Sequence, residues 1–284
     1  MQNELTILAA GGDLRYDTAA RALAEGAAVF TLALPTGRPC PEGLRADLLL
    51  LPCPVSADGV HLLAPQSEKR WPLAALLSQL KPGAPVLGGL FGETATLFKA
   101  AGHPVADYTR DERFALRNAL PTAEGAVAIL LDRLPRTLDG ASVLVTGYGR
   151  IGRVLAAKLT ALGADVTVAA RKPTDRVKAE LAGCRAVPFE ALPTVAGGFD
   201  AVCSTVPAKV VTADVLAALP AEAPVVDLAS APGSVDEEAA RVLGRTVIPA
   251  RGLPGKCAPV TAGHILAETV REIIDHEGGD GVWI

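Results

Sequence analysis

The chain has 284 residues, of which 50% are hydrophobic and only 4% aromatic, with a formal net charge of −4. That length exceeds one ordinary domain and fits two α/β lobes with aliphatic cores. The weakly acidic balance gives no electrostatic reason to expect nucleic acid or an anionic membrane as a partner. The five cysteines (Cys40, Cys53, Cys184, Cys203, Cys257) form no Cys-x-x-Cys pair, which argues against a disulfide framework and against a metal site. No apolar run reaches the length of a membrane span, and no secretory leader is recognisable after Met1, so a cytoplasmic protein is expected.

In chain order, Leu5–Ala9 reads as a strand that ends in Gly11-Gly12-Asp13-Leu14-Arg15. Helical spacing follows over Tyr16–Ala24, then strands at Ala27–Leu34 and Asp47–Leu51, a helix over Pro72–Leu80, and a strand at Pro85–Leu90. Alternating strands and helices predict a parallel sheet covered on both faces. The expectation is a flavodoxin-like α/β substrate lobe over residues 1–121, completed by 262–284. Ligands of such sheets collect beyond the carboxyl ends of the strands, which singles out Asp13, Arg15 and Ser56. Arg15 is a candidate for a substrate carboxylate; its alternative is a helix-start ion pair or cap with Asp13 or Asp17. Ser56 can donate to a substrate or serve only its own turn.

Residues 104–138 read as the crossover between lobes. Thr122 has the chemistry of an N-cap, with an apolar helix over Ala126–Leu134. Asn118, Thr122 and Glu124 join the substrate-binding candidates, although a first-turn Glu124 also answers the helix dipole. Arg110, Arg113 and Arg117 read as solvated.

The richest stretch is 142–171. An apolar run leads into Gly147-Tyr148-Gly149-Arg150-Ile151-Gly152, a helical stretch carries Leu155, Leu159 and Leu162 on one face, Gly163 stops it, and a second apolar run ends at Arg171. A G-x-G-x-x-G between strand and helix suits a dinucleotide pyrophosphate, with helix N–H groups turned to the phosphates. NAD-binding units usually place an acid about 20 residues on, for the ribose hydroxyls. Here the sequence is Ala170-Arg171-Lys172, so NADP(H) is expected over NAD(H), two cations suiting a 2′-phosphate; the alternative is a solvated loop.

Further strands are expected at Arg185–Val187, Asp200–Ser204, Val225–Ala229 and Thr246–Ile248. Thr205, Val206 and Pro207 follow one strand end, and Lys256 lies beyond another. A last helix, Thr261–Ile274, is expected to pack back on the first lobe. The fold class is therefore α/β, two doubly wound parallel-sheet lobes, with a Rossmann NADP-binding domain over 122–261.

Taken together, Gly11–Arg15, Leu51–Gly59, Arg110-Asp111 with Asn118–Gly125, Gly147–Gly152, Asp227–Gly233 and Gly252–Gly263 resemble the A subunit of dipicolinate synthase. The sequence departs from that family at Ala119-Leu120, where Ser-Ile is expected, and at Ala231, where Arg is expected. The resemblance implies NADP-dependent oxidation of a dihydrodipicolinate to pyridine-2,6-dicarboxylate in the mother cell of a spore former. It also implies a partner, the flavoprotein-like B subunit of dipicolinate synthase. A small dianionic substrate asks for fixed cations and donors, with Arg15, Lys256 and Asn118 as catalytic candidates. A homo-oligomer is expected for this class. Three rivals stand beside this reading: a non-catalytic NADP-binding scaffold for a flavoprotein, a methylenetetrahydrofolate dehydrogenase-like enzyme, and a 2-hydroxy acid dehydrogenase. The last needs a histidine base, and residues 104–263 contain none.

Overall fold

The computed structural model describes residues 4–275 and 281–284. The chain divides into two compact units, Met1–Asn118 with Pro254–Ile284, and Ala119–Leu253. Each is built on its own six-stranded sheet, and every registered strand pair is parallel.

In the first unit the strands are β1 (Thr6–Ala10), β2 (Ala28–Leu32), β3 (Arg38–Pro39), β4 (Leu48–Leu50), β5 (Val86–Gly88) and β6 (Val105–Asp107). The helices of this part are α1 (Leu14–Leu23), α2 (Leu73–Leu76) and α3 (Thr94–Ala100). The sheet order is β3-β2-β1-β4-β5-β6. Without the two-residue β3 the remaining five strands run in the flavodoxin order 2-1-3-4-5; with it they run 3-2-1-4-5-6. Strands buried on both faces are continuously apolar, which is why Leu48–Leu51 is an unbroken leucine run. Alternation sends Ile7, Leu48 and Leu87 into one core and Leu8, Leu49 and Val86 into the other.

Helix α4 (Glu112–Arg133) carries the chain from the first unit into the second. It corrects the expectation of a helix starting at Thr122, because Pro121 and Thr122 both lie inside it. Two local facts outweigh the proline. Asp111 stands just ahead of the helix and accepts from the Phe114 N–H at 2.9 Å, an N-cap interaction well before the expected one. Ala119, Ala123, Ala126 and Leu130 then keep a helical stripe buried through the proline.

The second unit holds β7 (Ser142–Thr146), β8 (Asp165–Ala169), β9 (Arg185–Val187), β10 (Ala201–Ser204), β11 (Val225–Asp227) and β12 (Val247–Pro249). Between them lie α5 (Arg150–Ala161), α6 (Pro173–Leu181), α7 (Leu192–Val195), α8 (Ala213–Ala218) and α9 (Glu237–Val242). The order β12-β11-β10-β7-β8-β9 puts the chain reversal between β7 and β10, where dinucleotides bind in this fold.

Two more helices follow, α10 (Leu253–Cys257) and α11 (Pro259–Asp275). As expected for the C-terminal helix, α11 packs on the first unit. Ile265, Leu266, Val270 and Ile273 enter the core shared with α1, and Gly263 lets α11 touch the Arg15 carbonyl and Thr18 with no space for a Cβ. Arg117 pairs with Glu272 at 3.1 Å and Glu268 at 3.2 Å, so it ties α4 to α11 and is not merely solvated.

Candidate functional site: a dinucleotide cradle and a polar strand edge

The cradle forms at the end of β7. Gly147 takes φ +92, and its N–H donates to the Ala169 carbonyl at 2.8 Å. A Cβ there would come within 2.5 Å of Thr205 Oγ1 and 2.8 Å of Val206 Cγ2. Only glycine satisfies both the backbone angle and that approach. Gly152 packs so closely that a Cβ would overlap the Gly147 carbonyl.

Gly149 behaves differently. It caps α5 without a side-chain hydrogen bond, is exposed, and has nothing within 4 Å of a Cβ position. The first-turn N–H groups of α5 therefore receive no side-chain cap from this position, beside open space. That is the arrangement a phosphate needs, so these residues fit a dinucleotide pyrophosphate.

Around the cradle, Tyr148 is buried, Ile151 half-buried against the core, and Arg150 exposed. The Thr205 hydroxyl donates to the Thr146 carbonyl at 2.9 Å, and Pro207 is exposed.

At the end of β8, Arg171 and Lys172 are exposed, and their side chains make no hydrogen bond or ion pair with the described residues. Two neighbours escaped the sequence reading. Arg176 Nη1 donates to the carbonyls of Ala170 (2.9 Å) and Arg171 (3.0 Å). Asp175, in the first turn of α6, is a carboxylate near the expected ribose position; it lies 3.7 Å from Arg153 and 3.8 Å from Lys178. The Asp-Arg-x-Lys run after Pro173 was the available signal, readable once a helix is started at that proline.

In the first unit, polar groups gather at the carboxyl ends of β1, β4, β5 and β6. Asp13 caps α1 by accepting from the Arg15 N–H at 3.1 Å. It also holds two donors of the Arg15 guanidinium, Nε on Oδ1 at 2.9 Å and on Oδ2 at 3.2 Å, and Nη2 on Oδ2 at 2.8 Å. Burial alone would lower the Arg15 pKa, but the hydrogen bond to Asp13 and the charge of that carboxylate hold it above its ordinary value. Of the two readings open for Arg15, the structure supplies the ion pair.

Beneath it, the buried Tyr16 and Tyr108 hydroxyls meet at 2.7 Å, and Tyr108 donates to the Leu51 carbonyl at 3.3 Å. Burial pushes both phenols above their ordinary pKa. Burial likewise pushes the Cys53 thiol up to about 12, with Asp107 and Asp13 adding to it against Arg15. Gly255 of α10 backs directly onto the Asp13 carboxylate, and the next residue, Lys256, is exposed. Lys256 thus lies in the first unit, not in the second lobe where the sequence reading put it.

The remaining substrate candidates do different work. The Ser56 hydroxyl donates to the His61 carbonyl at 2.5 Å and accepts from the Gly59 N–H at 3.0 Å, so it shapes its own turn. Thr122 is buried inside α4 and is not an N-cap. Glu124 is paired with Lys158 at 2.8 Å, well past the first turn of its helix. Asn118 is the last residue of its unit before the crossing.

Among the described residues, no cluster of three His, Cys, Asp or Glu is placed to hold a metal, and no helix is long and apolar enough to cross a membrane. A further organiser is Asp227, at the end of β11. Its buried carboxylate accepts from Ala229 N–H (3.1 Å), Ser234 N–H (3.2 Å) and the Ser234 hydroxyl (2.6 Å), fixing the loop that contains the cis Ala231–Pro232 bond.

Residues 124–248 match the family described as D-isomer specific 2-hydroxyacid dehydrogenase, NAD binding domain. With the glycine cradle and strand order, that match supports a nicotinamide dinucleotide cofactor and the class of NAD(P)-dependent dehydrogenases. A more particular likeness follows. The chain is 34% identical to the A subunit of dipicolinate synthase from Bacillus subtilis (strain 168) over 169 residues, 59% of this chain and 56% of that protein. The match thus spans little more than half the length of the curated relative. The crystal structure of the dipicolinate synthase A subunit from Bacillus halodurans superposes with TM-score 0.88 at 27% identity, covering 95% of this chain and 97% of that one. The corresponding crystal structure from Bacillus subtilis gives 0.85 at 26% identity, with 97% of each chain covered. The resemblance read in the sequence is therefore upheld: this chain is similar to the A subunit of dipicolinate synthase.

Proposed function

We propose that the chain is the nicotinamide-binding component of a dipicolinate synthase, oxidising a dihydrodipicolinate to pyridine-2,6-dicarboxylate with NADP+ during sporulation. What supports the reading is the glycine cradle with its open Gly149 position, in a chain whose fold follows that of two dipicolinate synthase structures over nearly its whole length. A bound nicotinamide supplies the acceptor for the hydride that leaves the substrate ring; a proton goes to solvent and the ring becomes aromatic.

The chain's own residues bind and orient. The first turn of α5 holds the pyrophosphate by backbone N–H groups, and Arg171 and Lys172 hold the 2′-phosphate. In the first unit, Lys256 gives an exposed cation for a substrate carboxylate, with Asn118 as a further donor. Arg15, with Nε and Nη2 already on Asp13, acts first by fixing that carboxylate and offers a substrate only its remaining N–H groups. The partner in this reading is the flavoprotein-like B subunit. The Asp13–Arg15 pair favours one second reading, a cofactor-binding scaffold whose flavoprotein partner performs the redox step.

The test is absorbance of reduced nicotinamide after the full chain is mixed with NADP+ and freshly made dihydrodipicolinate, with and without the flavoprotein-like partner. Reduction matched by pyridine-2,6-dicarboxylate is the expected result. Bound NADP+ without reduction in both mixtures would replace the enzyme reading with the scaffold.

A further inference from the structure

We propose that Arg176 and Arg153 are positioning residues for cofactor choice: they set the β8–α6 turn so that it offers Arg171 and Lys172, and not Asp175, to the adenosine ribose. This inference rests on the NADP reading above and names the residues that would enforce it.

Arg176 holds three consecutive carbonyls. Its guanidinium donates to Ala170 (2.9 Å) and Arg171 (3.0 Å), while its own backbone N–H donates to Lys172 at 3.2 Å. The side chain thus holds the carbonyls on either side of the Arg171 α-carbon, while the Lys172 carbonyl is held by the backbone N–H groups of Asp175 and Arg176. Both bonds leave the one terminal nitrogen Nη1, whose two N–H groups are fixed in the guanidinium plane; a lysine ammonium carries its donors on a freely turning stem and fixes the pair less well.

Arg153 works from the other side. On α5, its Nε donates to the Tyr148 carbonyl inside the glycine turn at 3.0 Å, and its Nη2 lies 3.7 Å from Asp175. Lys178 lies 3.8 Å from the same carboxylate. Asp175 matters because a carboxylate at a ribose edge accepts from sugar hydroxyls and repels a 2′-phosphate. Two cations close to it cancel much of that repulsion. Both contacts are long and half-exposed, so their stabilising value is small and their effect lies in the local potential.

Calorimetric titration of the full chain with NADP+ and with NAD+ tests this through the ratio of the two dissociation constants. Arg176→Ala should cut the preference for NADP+ roughly 5- to 10-fold with NAD+ binding little changed, and Arg176→Lys should fall between it and the wild type. Arg153→Ala should lower the same ratio, and adding Asp175→Asn should restore it, because the uncovered carboxylate is then gone. A purely structural role would not give that rescue. Arg171→Ala separates the two levels of the argument. If it leaves the ratio at the wild-type value, the NADP reading fails and this inference with it. If it lowers the ratio while the Arg176 and Arg153 variants do not, the inference alone is overturned. Equal loss of both nucleotides in Arg176→Ala, with a lower Tm, would overturn it as well.

Discussion

Gly149→Ala separates a glycine kept for a ligand from one kept for the fold. The substitution adds one methyl at the N-cap of α5, where φ is −82° and no heavy atom lies within 4 Å. Alanine is a poorer N-cap than glycine by about 0.5 kcal/mol, against which a stiffer unfolded chain returns about 0.4–1 kcal/mol. The Tm of the nucleotide-free chain should therefore move by no more than about 2–4 °C. The nucleotide meets a different situation. A phosphate oxygen accepting from these N–H groups must come within about 3 Å of the backbone, into the space the methyl takes. Losing one such charge-assisted bond costs about 1.5–3 kcal/mol, or roughly 10- to 150-fold in Kd. Calorimetric titration with NADP+ beside a thermal melt reads both quantities. Gly152→Ala is the contrast: its Cβ runs into the Gly147 carbonyl, so affinity and Tm should fall together. A Gly149→Ala chain that melts normally and binds NADP+ within about two-fold of wild type would refute the placement of the pyrophosphate.

Asp227→Ala should be costly wherever the substrate binds, since it strips the acceptor from two N–H groups and a buried hydroxyl. At about 2–4 kcal/mol in total, the melt should fall by roughly 5–15 °C, and a Tm within about 2 °C of wild type would show the loop is held otherwise. Iodoacetamide at mildly alkaline pH should label the exposed Cys257 first. Cys203 and Cys53, both pushed up to about 12 by burial, should lag, as peptide mass spectrometry would show; equal rates would contradict their burial.

What the sequence disclosed and what it hid follow one physical division. The Gly147–Gly152 turn was readable because its strand, glycines and helix are contiguous, so local pattern carries the geometry. The sheet of the second unit was readable for a similar reason, each buried strand being a short apolar run. β3 escaped because Arg38 and Pro39 are exposed at a sheet edge and carry no apolar signal. The start of α4 was misplaced because Pro121 and Thr122 imitate a helix beginning, while the true cap, Asp111, precedes a first turn in which charged and apolar residues are mixed. Arg15 illustrates the limit for site residues. Spacing put it at a strand edge, but only the folded backbone shows that Asp13 already takes two of its donors. Arg176 was invisible in the same way, because its partners are carbonyls, which any residue type supplies.

A crystal structure of the full chain with NADP+ tests the central claim most directly. The account predicts pyrophosphate oxygens on the N–H groups at the start of α5, beside Gly149, and the 2′-phosphate on Arg171 and Lys172. A nucleotide bound away from the glycine turn, or a ribose held by the Asp175 carboxylate, would contradict it.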